Sequence, residues 1–274
     1  MYRFLRTPKW IAFTIGILAV MALMLFAARW QWHRYEFKRD RNAAVVQRTK
    51  EPEVAVTALL KLGAPFTAVK PDEWRTVTAT GTYEADQQVI IRDRSQNGQG
   101  GSHVVTPLLL SDGSVLLVNR GFIDIRVATP PAPATGPVTV LGRLRPTQTR
   151  GSIGPRDPAT GHLDALVRLD VARLAQQIPQ PVLPGYVELI AQQPSLTASD
   201  PAPIPLPDND NGPHLSYMVQ WIIFTICAAV GWAIVVRRTA KQNAKERAAL
   251  LSGGESGSND AGLVAQGGRL DGSA

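Results

Sequence analysis

Trp10–Ala28, reading WIAFTIGILAVMALMLFAA, and Tyr217–Val236, reading YMVQWIIFTICAAVGWAIVV, decide the fold of this chain. Neither run holds a charged residue or a proline. Helix rises 1.5 Å per residue, so the first run spans about 28 Å, close to the ~30 Å hydrocarbon core of a bilayer. Ionisable groups are costly at the bilayer centre, and their absence from both runs supports spanning. Gln220 lies near the start of the second run, where water or a partner satisfies it. Trp10, Trp30, Trp221 and Trp232 lie near the ends, as interface anchors do. The expected layout is residues 1–9, a span over 10–28, a domain over 29–216, a span over 217–236, and a basic segment and tail over 237–274.

Working outward, the first run is too long for a cleaved signal peptide, and no A-x-A site stands near Ala28. A retained anchor is expected. The apolar run begins almost at once, with no amphipathic import peptide before it, which points to a bacterial plasma membrane. The formal net charge of +7 gathers at the span ends. Arg3, Arg6 and Lys9 precede the first; Arg237, Arg238, Lys241, Lys245 and Arg247 follow the second. This is a lipid-headgroup pattern, and no nucleic-acid motif accompanies it. Both termini are expected in the cytoplasm. The basic stretch RWQWHRYEFKRDR opposes this, but long segments translocate largely regardless of charge. The lone Cys227 excludes an internal disulfide and any thiolate-paired zinc or copper site. Its position predicts a small lipid-facing or helix-facing residue.

Between the spans, Val77, Ala79, Gly81 and Tyr83 alternate with Thr76, Thr78, Thr80 and Thr82, the period of a half-buried strand. Residues 89–92, 103–110, 115–119, 138–144 and 184–190 read as further strands. Asp112-Gly113 predicts a hairpin, Gln99-Gly100-Gly101-Ser102 a turn, and Asp170–Gln177 a short helix. Residues 129–137 and 199–213 are Pro-rich loops. The tail after Leu251 is Gly/Ser-rich and predicts disorder. The expected fold is therefore two transmembrane helices flanking an extracytoplasmic, antiparallel, β-rich domain, closed as a small barrel or a sandwich.

No P-loop, G-x-S-x-G, H-E-x-x-H or dinucleotide fingerprint occurs, so an enzyme is not expected. Four segments carry a resemblance instead. They are Trp30-Gln31 with Arg34 and Lys38; Gly81-Thr82-Tyr83 with His103–Leu108; Val118-Asn119-Arg120-Gly121-Phe122; and Pro213-His214-Leu215-Ser216-Tyr217 with Gln220-Trp221. In order, spacing and topology the chain resembles the SURF1 family, the factors that assist assembly of haem-a-containing cytochrome c oxidase. Ala28 stands where the family often has Gly, and residues 150–183 match poorly.

The resemblance implies a non-enzymatic role: helping haem a reach the large oxidase subunit, or keeping that subunit receptive. Oxidase subunits and the lipid bilayer are the implied partners. It also implies that His214 occupies the position of the proposed haem a ligand in bacterial members. Imidazole is a good axial ligand for haem iron, and His214 lies just outside the second span. His33, about 7 Å beyond the first span if the helix continues, could face the same ligand. Each histidine has a plainer reading, as a cap or an interfacial polar residue. His103 and His162 read as surface residues. Asn119-Arg120-Gly121 reads as a strand closing in a turn, with Arg120 alternatively meeting a haem propionate or an acidic partner. Other classes stay open: a permanent oxidase or supercomplex subunit without haem, a copper chaperone lacking the soft ligands it needs, and a hydrolase lacking a nucleophile–base pair.

Overall fold

From Ile17 to Glu51 the chain contains neither glycine nor proline, and a single helix, α1 (Pro8–Thr49), runs through that stretch. The structure is a computed structural model that describes residues 2–197 and 200–263. Pro8 opens α1, where its missing N–H costs nothing. The helix outlasts its apolar run: residues 29–49, expected in the β-rich domain, are helical. The last helix among the described residues, His214–Leu263, likewise continues past Val236, through 252–263, where composition predicts disorder. Extending a formed helix adds one hydrogen bond per residue fixed, whereas nucleation is the costly step. The remainder of the tail, 264–274, lies outside the described residues. Both long helices are long and apolar enough to cross a membrane.

Two compact units divide the described chain. The first holds α1 up to Arg39 and the residues from Asp210 onward. Within it, Nε1 of Trp232 donates to Oγ1 of Thr14 at 3.3 Å. Ala28, Thr225, Val236 and Ala240 are buried; small side chains of this kind let helices approach closely in lipid. Thr14, Leu18, Met21, Ala229 and Trp232 line an apolar cleft of about 350 Å³. Cys227 is exposed on its helix.

The second unit, Asp40–Asn209, is β-rich. In chain order it contains β1 (Val54–Ala55), α2 (Val56–Leu59), β2 (Thr76–Tyr83), β3 (Val89–Gln96), β4 (Gln99–Leu110), β5 (Val115–Asp124), β6 (Pro137–Pro146), β7 (Ala165–Leu166), α3 (Val171–Leu174) and β8 (Val182–Gln193). The helix His214–Leu263 is α4. Strands β2, β6, β8, β5 and β4 are hydrogen-bonded in that order, and a β2–β4 pairing closes them into a five-stranded barrel. Strands β3 and β7 continue outward from β4.

Against the antiparallel sheet that the sequence predicts, β5 and β8 run parallel within the barrel. Closure requires it. Strand direction cannot alternate all the way round a ring with an odd number of members, so at least one neighbouring pair must agree. Val77, Leu108, Leu116, Val118, Val140 and Val187 fill the ring. Val105, Val115 and Leu117 face the other way and pack with Leu169, Val171 and Leu174. Strand β5 is thus buried on both faces, which explains its nearly continuous apolar run.

Asp112-Gly113 forms the expected turn, with Oδ1 of Asp112 accepting from Ser114 N–H at 2.9 Å and Gly113 at φ +81°. The Gln99–Ser102 segment is no turn but the start of β4. Its turn precedes it at Asn97 and Gly98, both at positive φ (51° and 77°), the two-residue hairpin connection that Asn-Gly favours.

Candidate functional site

The path into α4 is set by three residues. Oδ1 of Asp210 accepts the N–H of Gly212 at 2.7 Å; Gly212 turns the chain with φ +68°; Pro213 accepts the N–H of Tyr217 at 3.1 Å. His214 therefore begins α4 at a defined angle. Its Nδ1 lies 2.8 Å from Oε1 of Gln31 on α1. An amide oxygen only accepts, so Nδ1 carries the proton and donates. The neutral ring then keeps its lone pair on Nε2. A Cβ on Gly212 would stand 3.0 Å from Nζ of Lys38 and 3.5 Å from Nε2 of His214. Glycine at this turn thus lets the Lys38 ammonium and the imidazole edge lie close to the same backbone.

This arrangement has the makings of a ligand. Metal-bound histidines almost always donate their second ring N–H to an oxygen, which fixes tautomer and orientation. Gln31 does this for His214. Among the described residues no three His, Cys, Asp or Glu side chains gather as a protein-only metal site needs.

His33 does not join it. Residues two apart on a helix are about 200° round its axis, so with Gln31 directed to α4, His33 is turned away. It is exposed, and its Nδ1 is 3.5 Å from Glu36. Trp30 and Tyr217 are exposed, as are Arg34 and Gln220. Trp221 packs edge-on against Phe224, ring centroids 6.0 Å apart. Of the sequence-predicted residues in this unit, Gln31, His214 and Pro213 are the ones brought together. Lys38, named in the same motif segment, joins them, seven residues or two helical turns from Gln31.

The Asn119-Arg120-Gly121 motif belongs to the barrel unit and is no strand-ending turn. It lies within β5, where Val104 pairs with Gly121 and Val105 with Asn119, leaving Arg120 as the extra residue of a β-bulge. Bulges re-aim side chains. Arg120 points inward with Leu116 and Val118 and is 1% exposed. Its Nη1 donates to Gln88 Oε1 (3.0 Å) and Pro131 O (2.8 Å), and its Nη2 to Ala132 O (2.9 Å) and Asp200 Oδ1 (2.9 Å). So placed, it has no face for a propionate or an acidic partner. Gly121, at φ +137°, lies where a Cβ would come within 2.3 Å of Ala202 O.

Asp200 anchors this network. Burial works to raise its pKa, but hydrogen bonds from the Thr197 backbone and hydroxyl and from Arg120 outweigh it, and the carboxyl sits below its usual value. Asn119 turns outward and donates Nδ2 to Nδ1 of His103 at 3.2 Å. His103, expected at the surface, is half-buried against Phe122. Burial, and then the nearby Arg94, pull its pKa down to about 4.

A model of the SURF1 family matches residues 18–226. A SURF1-like protein of Mycobacterium tuberculosis (strain ATCC 25618 / H37Rv) is 29% identical over 252 residues, 89% of this chain and 90% of that protein. A SURF1-like protein of Monosiga brevicollis is 25% identical over 241 residues, 81% of this chain and 87% of its own length. The cytochrome oxidase assembly protein SHY1 of Saccharomyces cerevisiae is 26% identical over 159 residues, 53% of this chain and 39% of that protein.

Proposed function

This chain belongs to the SURF1 family, and from that premise we propose that it assists the assembly of a haem-a-containing cytochrome c oxidase, acting on the large haem-bearing subunit. The observation that carries this reading is the family match over residues 18–226, beside the 26% identity over 159 residues to a yeast relative named for cytochrome oxidase assembly. The role is non-catalytic: the protein holds or presents haem a, its cargo, in the bilayer.

His214 is the residue proposed to meet the haem. The support is its hydrogen bond to Gln31, which leaves Nε2 unprotonated in the neutral ring. Lys38 beside Gly212 supplies a cation for a propionate. His33 is left out of the proposed site. The chain is proposed to lie in the plasma membrane with both termini cytoplasmic, the basic flanks of the helices being the support. A reporter fused after residue 249 should then behave as cytoplasmic and one at residue 130 as external; the reverse pattern would refute this orientation.

The function is tested by a reduced-minus-oxidised absorbance spectrum of membranes from a deletion strain beside its parent. Selective loss of the a-type signal, with b- and c-type signals retained, is expected. An unchanged a-type signal would contradict the assembly role.

A further inference from the structure

Between β6 and β8 the chain makes a long excursion held by arginine-to-carbonyl bonds. Arg150 donates Nε to Gly154 O at 3.2 Å, and Arg168 donates Nη1 to Pro155 O at 2.8 Å. Arg173 donates Nε to Pro158 O at 2.8 Å and Nη2 to Gly161 O at 2.5 Å. Gly154 has φ +119°, and a Cβ there would stand 3.0 Å from Nη2 of Arg168. The loop can therefore lie close against that guanidinium. Arg173, 7% exposed, is the buried member of the set.

These side chains border an open cavity of about 350 Å³, whose lining includes Arg150, Arg156, Arg168, Arg173, Asp157 and Asp170. Both acids hold backbone: Asp157 accepts from Val167 N–H at 2.8 Å, and Asp170 from Arg173 N–H at 3.1 Å at the start of α3. The guanidiniums outnumber them. Each guanidinium carries five N–H groups, and the loop bonds use one from Arg150, one from Arg168 and two from Arg173. Holding the loop accounts for Arg168 and Arg173. It does not account for Arg156 lining the same space.

We propose that this arginine-lined cavity binds a phosphate group, carried by a small soluble ester or by a lipid headgroup. One guanidinium fork satisfies a carboxylate, whereas forks converging from several sides match the oxygens of a phosphate. The cavity volume leaves room for the body that carries the group. The site lies in 150–183, apart from the segments that carry the family resemblance, and it does not depend on haem binding.

The test uses the full chain in detergent micelles, titrated calorimetrically with inorganic phosphate at low ionic strength. The parent should bind saturably. Arg156→Glu and Arg150→Glu, at exposed positions, should each weaken binding by about tenfold or more, the loss of a charge-assisted hydrogen bond. Lys61→Glu makes the same charge change elsewhere in the barrel unit and should leave binding unchanged. Nanodiscs with and without phosphatidylglycerol separate the sources. Phosphate binding suppressed by the anionic lipid in the parent assigns the site to a headgroup; binding retained there assigns it to a soluble ester. No saturable binding by the parent would overturn the proposal, as would equal losses in Arg156→Glu and Lys61→Glu.

Discussion

Arg120 of the barrel and His214 of the helix pair both stand in segments that carry the family resemblance, in separate units of the chain. Arg120 is 1% exposed and makes four hydrogen bonds to groups of its own unit. His214 is half-buried, with Nδ1 held by Gln31 and Nε2 left as a lone-pair donor in the neutral ring. A charged residue whose donors are all directed inward specifies a fold. An imidazole held by one nitrogen only can also meet something from outside. The contrast teaches that motif residues of one family serve two ends: some build the barrel, and a few remain available for chemistry.

Substitutions can break that contrast. The largest effect is expected from Arg120→Met, which strands Asp200 and Gln88 without their cation in a buried network. Removing one partner of such a pair costs about 3–5 kcal/mol, so chemical unfolding of the barrel should shift strongly to lower denaturant. Wild-type stability would remove Arg120 from its structural role. A smaller effect, on binding rather than folding, is expected for Gln31→Leu. Loss of an outer-shell partner weakens metal binding about 10–100-fold, so haem a affinity should fall while helix content stays constant. Unaltered affinity would show that the amide does not orient the ring.

The mildest expected effect is one of pH. The His103 ring resists protonation until about pH 4 in the folded state, whereas in the unfolded chain it titrates near ~6.5. The unfolded state therefore binds the extra proton first, and stability falls as pH drops from about 6.5 toward 4. Above that window the contribution is constant. His103→Gln should flatten this dependence, read as the difference in unfolding midpoint between neutral and mildly acidic buffer. An equal difference in parent and variant would return His103 to the surface role that the sequence suggests.

What could be read beforehand follows the range of the interactions. The two apolar spans and the Thr/Val alternation of β2 are local patterns, imposed by the bilayer and by period-two pleating, and both are legible in the chain. The Asp112-Gly113 turn is legible for the same reason. The parallel β5–β8 pair is not, because it follows from ring closure among residues far apart in sequence. Strands β1 and β7, two residues each, are too short to leave a pattern. The inward aim of Arg120 follows from the parity it shares with Leu116 and Val118, whereas the bulge that leaves it without a partner on β4 has no local signal. For His33, depth along the helix is legible in the chain, but its rotation about the axis shows only once Gln31 is seen to face His214. Gln31, noted only as part of a motif, is the side chain that faces His214.

We propose His214 as the residue that meets haem a. This is tested most directly by the a-type haem retained on the purified full-length chain, measured by absorbance for the parent and for His214→Ala under identical expression. Haem a on the parent and none on the variant is expected, with equal yield and helix content, since the one hydrogen bond lost, to Gln31, is worth only about 1 kcal/mol. Equal haem on both proteins would contradict it.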